Sequence, residues 1–172
     1  MYEMITLPDG VRIAFEKMDN VRSAAVGIWV GVGSRHEKAS ENGATHFIEH
    51  MLFKGTDKYS AQELAVITDA QGMSLRVDVG RETAVASLKC LPEDLAQGLG
   101  LLAEVVCRPA FPADEMERLR TQMVVAWRRS EDDSRAVAAR RLMERIYPEG
   151  HPFRHAIGGT EATLTGLQVD DL

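Results

Sequence analysis

Along residues 24–32 apolar positions alternate. Ala24, Val26, Ile28, Val30 and Val32 fall on one face, and Ala25, Gly27, Trp29 and Gly31 on the other, the two-residue period of a β-strand. Both faces are fairly apolar, which predicts a central strand covered on both sides. Upstream, residues 2–7 and 12–17 flank the turn at Pro8, Asp9 and Gly10 and read as a hairpin. Two further strands are expected at about 74–79 and 82–90, joined by a tight turn at Gly80 and Arg81. In the second of them Ala84, Ala86, Leu88 and Cys90 alternate with Thr83, Val85, Ser87 and Lys89. Elsewhere the period is helical. Ser60 with Glu63 forms a capping-box pattern that opens a helix running to about Gln71, stopped by Gly72. Leu95, Leu99, Leu102 and Val106 recur at helical spacing before Pro109. A long helix is expected from Pro112 or Ala113 to Glu131. Another should run from Arg135 to Tyr147, where Ala138, Leu142 and Ile146 make an apolar stripe ended by Pro148 and Gly150. Strands in front, helices behind and hairpin-like connections predict an α+β fold, a mainly antiparallel sheet packed against helices. No repeat, low-complexity segment or linker divides residues 1–172, so one domain is expected.

Composition agrees with a folded domain: 45% of the 172 residues are hydrophobic and 27% charged. A net charge of −6 and a pI near 5.4, with no run of Lys and Arg, argue against a nucleic-acid partner. The most basic stretch, RLRTQMVVAWRRS, reads as a solvated helix face balanced by the EDD that follows. Cys90 and Cys107 lie in no Cys-x-x-Cys spacing and have apolar neighbours, so both are expected to be buried free thiols. No charged segment followed by an apolar one opens the chain, and no apolar run spans a bilayer. A cytoplasmic chain without membrane association is expected.

Candidate chemistry concentrates in HFIEHMLFKGT, residues 46–56. If 46–53 is helical, His46, Glu49 and His50 share one face. Two imidazoles one turn apart can both reach a zinc ion at roughly 2.0–2.1 Å, leaving positions for a third protein ligand and a water. Glu49 between them suits a general base beside a metal-bound water whose pKa falls to about 7. The order His-x-x-Glu-His is the inverted form of the commoner zinc-protease motif. His36, in the preceding polar loop, reads as an exposed polar residue.

From TLPDG through VGIWVGVGSRHE, ENGATHFIEHMLFKGT and YSAQELA to HPFRHAIGGTEA, the chain resembles the inverted zinc metallopeptidases of the pitrilysin and insulinase superfamily. Its nearest flavour is the processing-peptidase-like bacterial branch. The resemblance runs from about residue 5 to the end, is most specific between Gly31 and Thr56, and corresponds to part of the first half of a two-half clamshell. It implies zinc as cofactor, His46 and His50 as metal ligands, Glu49 as catalytic base and an extended peptide as substrate. The family strand that pairs with substrate by strand addition reads Leu75, Arg76 and Val77 here, in place of an Asn-Ala pair. Arg76 there reads as a solvated edge charge.

The family's third zinc ligand, a glutamate on the long helix, falls at Ala126, and a second family carboxylate falls at Leu119. Leu119, Met123 and Ala126 share one helical face and are expected to pack as a core stripe. His151 and His155 fall in a loop the family uses for structure. Two functions follow. One is a zinc endopeptidase in which another carboxylate, such as Glu82, Glu115 or Glu117, completes the site. The other is a non-catalytic peptide-binding or scaffold subunit that pairs with an active homologous partner or with a missing C-terminal half. With two histidines alone zinc is weakly held or absent.

Overall fold

The computed structural model describes residues 2–172. Strands β1 (Tyr2–Thr6) and β2 (Arg12–Glu16) form the expected hairpin, closed by a bond from Leu7 N–H to the Val11 carbonyl at 2.8 Å and by Gly10 at φ +91°. This two-stranded sheet is separate from the main one, and its residues are exposed. The main sheet contains β3 (Ala24–Val30), β4 (Ser74–Val79) and β5 (Ala84–Cys90), all antiparallel, in the order β3-β5-β4.

The central strand is therefore β5, not β3 as the apolar pattern of residues 24–32 suggests. Only the face of β3 that carries Ala24, Val26 and Ile28 packs on the core, while Trp29 is 70% exposed. Its indole folds back over Gly27, where a Cβ would lie 2.5 Å from the ring. A bulky residue beside glycine thus imitates a second buried face without being one.

Helices α2 (Ala61–Ala70) and α3 (Leu95–Cys107) accompany the sheet, and Leu64, Val77, Leu88, Leu102 and Val105 form its core. The Ser60–Glu63 capping box forms as expected, and Gly72 takes φ +59° just past the helix end. Close approach of α3 to β5 depends on Gly98, where a Cβ would meet the Leu88 side chain at 2.7 Å. Cys90 is buried on β5, whereas Cys107, the last residue of α3, is exposed rather than buried. A helix end gives it no covering layer.

A second core lies between α1 (Ala44–Met51), α4 (Ala113–Asp132) and α6 (Glu161–Gly166): Phe47 and Met51 meet Met116, Leu119, Met123 and Leu164. Helix α5 (Ser134–Ile146) packs on α4 and on the turn at Pro152–Arg154. Its expected stripe is not a core face: Leu142 and Ile146 are 54% and 58% exposed, because nothing is layered over that side. Among the described residues no helix is long and apolar enough to cross a membrane.

Candidate functional site

Helix α1 is fixed from both ends of the sequence. The Glu37 carboxylate accepts the backbone N–H groups of Gly43 at 2.9 Å and Thr45 at 2.8 Å, donors that the first helical turn leaves without intrahelical partners. The same carboxylate accepts from Asn42 Nδ2, which also donates to the Ala156 carbonyl at 2.9 Å. Gly43 (φ +102°) and Gly159 (φ +75°) touch backbone to backbone, where a Cβ on Gly43 would lie 2.9 Å from Gly159 Cα. Loop 156–159 thus lies directly against the start of α1. Sequence reasoning missed Glu37 in this role, although an acid in the polar loop before a helix is a recognisable signal.

With Phe47 and Met51 turned into the core, His46, Glu49 and His50 face outward. The two Nε2 atoms are 3.2 Å apart. A tetrahedral metal about 2.05 Å from each nitrogen needs a separation of about 3.3 Å, so the pair forms a ready two-imidazole clamp. Burial, helped by the neighbouring His50, holds His46 below its ordinary pKa, although Glu37 opposes the shift, and the ring is readily neutral. Its buried Nδ1 has no hydrogen-bond partner and faces Gly158, where a Cβ would lie 3.3 Å away. Burial likewise raises the Glu49 carboxyl. Asp78 adds to this, while His50 and a hydrogen bond from the Val79 backbone oppose it.

Two hollows meet at His50. The first brings Glu49 and His50 together with Leu75, Arg76 and Val77 of β4. The helix and β4, one of the sheet's two outer strands, are thus adjacent. Val77 is buried, Leu75 half-buried and Arg76 exposed.

On the other side a cavity of about 660 Å³ opens between α1, α4, α5 and the 154–159 loop. His46 and His50 form part of its wall opposite Leu119, Met123, Ala126 and Trp127. The expected core stripe holds in part: Leu119 and Met123 are buried against Phe47, but Ala126 is exposed, because the stripe runs out into this cavity.

Among the described residues no carboxylate completes the clamp. Glu82 pairs with Arg35, Glu115 with Lys54 and Arg118, and Glu117 with Arg120, all away from the cavity wall. Among the described residues no group of three His, Cys, Asp or Glu is placed to hold a metal ion. The residues present therefore do not fit a three-ligand zinc site.

His151 is structural. Its Nδ1 accepts the Phe153 N–H at 3.1 Å and its ring stacks on Tyr147. The His155 carbonyl accepts from Arg81 Nη1 at 2.9 Å, which ties the loop to the β4–β5 turn. His36 is exposed, and its Nδ1 accepts the Gly33 N–H at 3.1 Å.

The family model for insulinase (peptidase family M16) matches residues 12–160. The uncharacterized zinc protease YmxG of Bacillus subtilis is 34% identical over all of this chain and 42% of its own length. A Mycobacterium leprae zinc protease is 33% identical over 94% of the chain and 36% of its own length. The mitochondrial-processing peptidase subunit beta of Saccharomyces cerevisiae is 36% identical over 69% of the chain and 26% of its own length. The chain thus spans well under half of the curated relatives it matches. Among solved structures, the peptidase M16 inactive domain from Pseudomonas fluorescens superposes with a TM-score of 0.93 at 23% identity, covering 99% of this chain and 42% of that one. A protease from Helicobacter pylori superposes with 0.90 at 23% identity, covering 99% and 41%.

Proposed function

The chain belongs to the insulinase family of peptidases, and on that premise we propose that it is a peptide-binding domain without hydrolytic activity of its own. It would form part of the first half of a family clamshell and work with a homologous partner subunit or a C-terminal half. The carrying observation is the acid-free cavity at Ala126: among the described residues no third ligand stands by the clamp of His46 and His50. Zinc, which the relatives' names attach to the family, would be held weakly here. The peptide would lie along β4, the outer strand of the sheet nearer α1, adding a strand beside Leu75, Arg76 and Val77 with Glu49 at its flank.

A second reading, a zinc endopeptidase with Glu49 as general base and the third ligand supplied from outside the chain, is favoured by two observations. These are the 3.2 Å spacing of the imidazole nitrogens and the raised Glu49 carboxyl. The two readings separate in one experiment. An unstructured fluorescent peptide and its backbone N-methylated counterpart are titrated into the protein, and the mixtures are then analysed by mass spectrometry. Binding of the first peptide only, with both left intact, is the expected result. Cleavage that a chelator abolishes would overturn it.

A further inference from the structure

The cavity beside α4 has a second property, independent of any peptide on β4 and of any metal. In a chain of net charge −6, its wall contains three arginines, Arg81, Arg140 and Arg154, and no aspartate or glutamate. Arg140 is neutralised by Glu131 and lies over the Trp127 ring at 4.6 Å. The other two are not: Arg81 Nη1 donates to the His155 carbonyl, and Arg154 Nη1 donates to the carbonyls of Glu144 at 2.7 Å and Tyr147 at 3.2 Å. Among the described residues neither pairs with a carboxylate, and both are half-buried. Backbone carbonyls position these guanidiniums, and Arg81 also lies over the Phe153 ring at 5.4 Å, but no carboxylate neutralises either, and each has further N–H donors to offer.

Most of the remaining wall is apolar, with Leu119, Met123, Ala126 and Met143, and its polar members, His46, His50, His155, Gln122 and Ser130, include no acid. A volume of about 660 Å³ lies within the roughly 300–1,000 Å³ of small-molecule sites. We propose that this cavity binds a small apolar monocarboxylate, with its carboxylate at the Arg81 and Arg154 guanidiniums and its aliphatic body along α4. Carboxylate is the anion that a planar guanidinium engages with two parallel hydrogen bonds, and an apolar wall selects against strongly hydrated anions.

Octanoate is the probe, titrated by calorimetry into the full chain in excess EDTA so that no metal contributes. Octanamide is the uncharged control of the same length. Octanoate is expected to bind at least about tenfold more tightly than octanamide, the margin of hydrogen bonds to a charged group. Ala126→Phe, which fills the cavity, should abolish binding, with folding verified by circular dichroism. Arg81→Gln should weaken it about tenfold, while Arg118→Gln, exposed on α4 and outside the cavity wall, should leave it unchanged. Equal affinity for octanamide, no octanoate binding at millimolar concentration, or full affinity in a folded Ala126→Phe variant would overturn the proposal. Because neither peptide nor metal is present, failure here leaves the peptide-binding reading standing, and failure of that reading leaves this one.

Discussion

Helices α1 and α4 pack on each other through Phe47, Met51, Leu119 and Met123, yet their exposed ends differ in kind. On α1 the chemistry is over-determined: Glu37 and the Gly43–Gly159 contact fix the helix start, and two imidazoles stand at chelating distance. On α4 the facing surface is alanine, methionine and leucine around a cavity. The start of α1 is held by packing and backbone contacts that serve the fold, and the two imidazoles stand on the outward face of that fixed helix.

The asymmetry breaks most severely on the α1 side. Phe47 is fully buried, so Phe47→Ala should lower unfolding free energy by about 3–5 kcal/mol in denaturant titration. A loss typical of a surface site would mean that α1 is not the structural half of the pair. Next comes Glu37→Ala, which strips two backbone donors at the α1 start of their acceptor and should cost about 1–2 kcal/mol, with faster amide exchange in residues 43–47. On α4, Ala126→Leu extends into empty space and should change stability by no more than about 0.5 kcal/mol in either direction. A large destabilisation would show that the cavity is not open there.

The smallest effect belongs to the outer face of α4, where Arg128 pairs with Glu161 at the start of α6. The hydrogen bond from Arg128 holds the exposed Glu161 carboxyl below its ordinary pKa. A depressed folded-state value contributes stability above the unfolded pKa and loses it as pH falls through the folded value. Glu161→Gln should therefore remove only a slight part of the acid dependence of the melting temperature, a screened surface contribution.

The elements were largely legible in the sequence because local signals decide them: the Ser60–Glu63 box, the alternation of β5 and the proline after α3 all act within a few residues. Layering was less so. Trp29 and the Leu142–Ile146 stripe have the periodicity of buried faces, but burial depends on what is packed opposite, which periodicity does not encode. The site divides in the same way. His46, Glu49 and His50 sit on one helix and could be read from spacing alone, whereas nothing local to α4 marks Ala126, which stands out only through the family resemblance. Arg81, Arg154 and loop 156–159 reach the cavity from segments far apart in sequence, and no local pattern announces them.

In the proposed reading α4 supplies no metal ligand, and Ala126, in the wall that faces His46 and His50, is the position from which a carboxylate would supply one. The direct test is zinc affinity by competition against a chromophoric chelator, for the natural chain and for Ala126→Glu. One ligand among four that share about 10–16 kcal/mol contributes roughly 3 kcal/mol, so the variant should bind zinc about 100-fold more tightly than the natural chain. If the natural chain already binds one zinc as tightly as the variant does, a ligand absent from the described geometry completes the site, and the account is wrong.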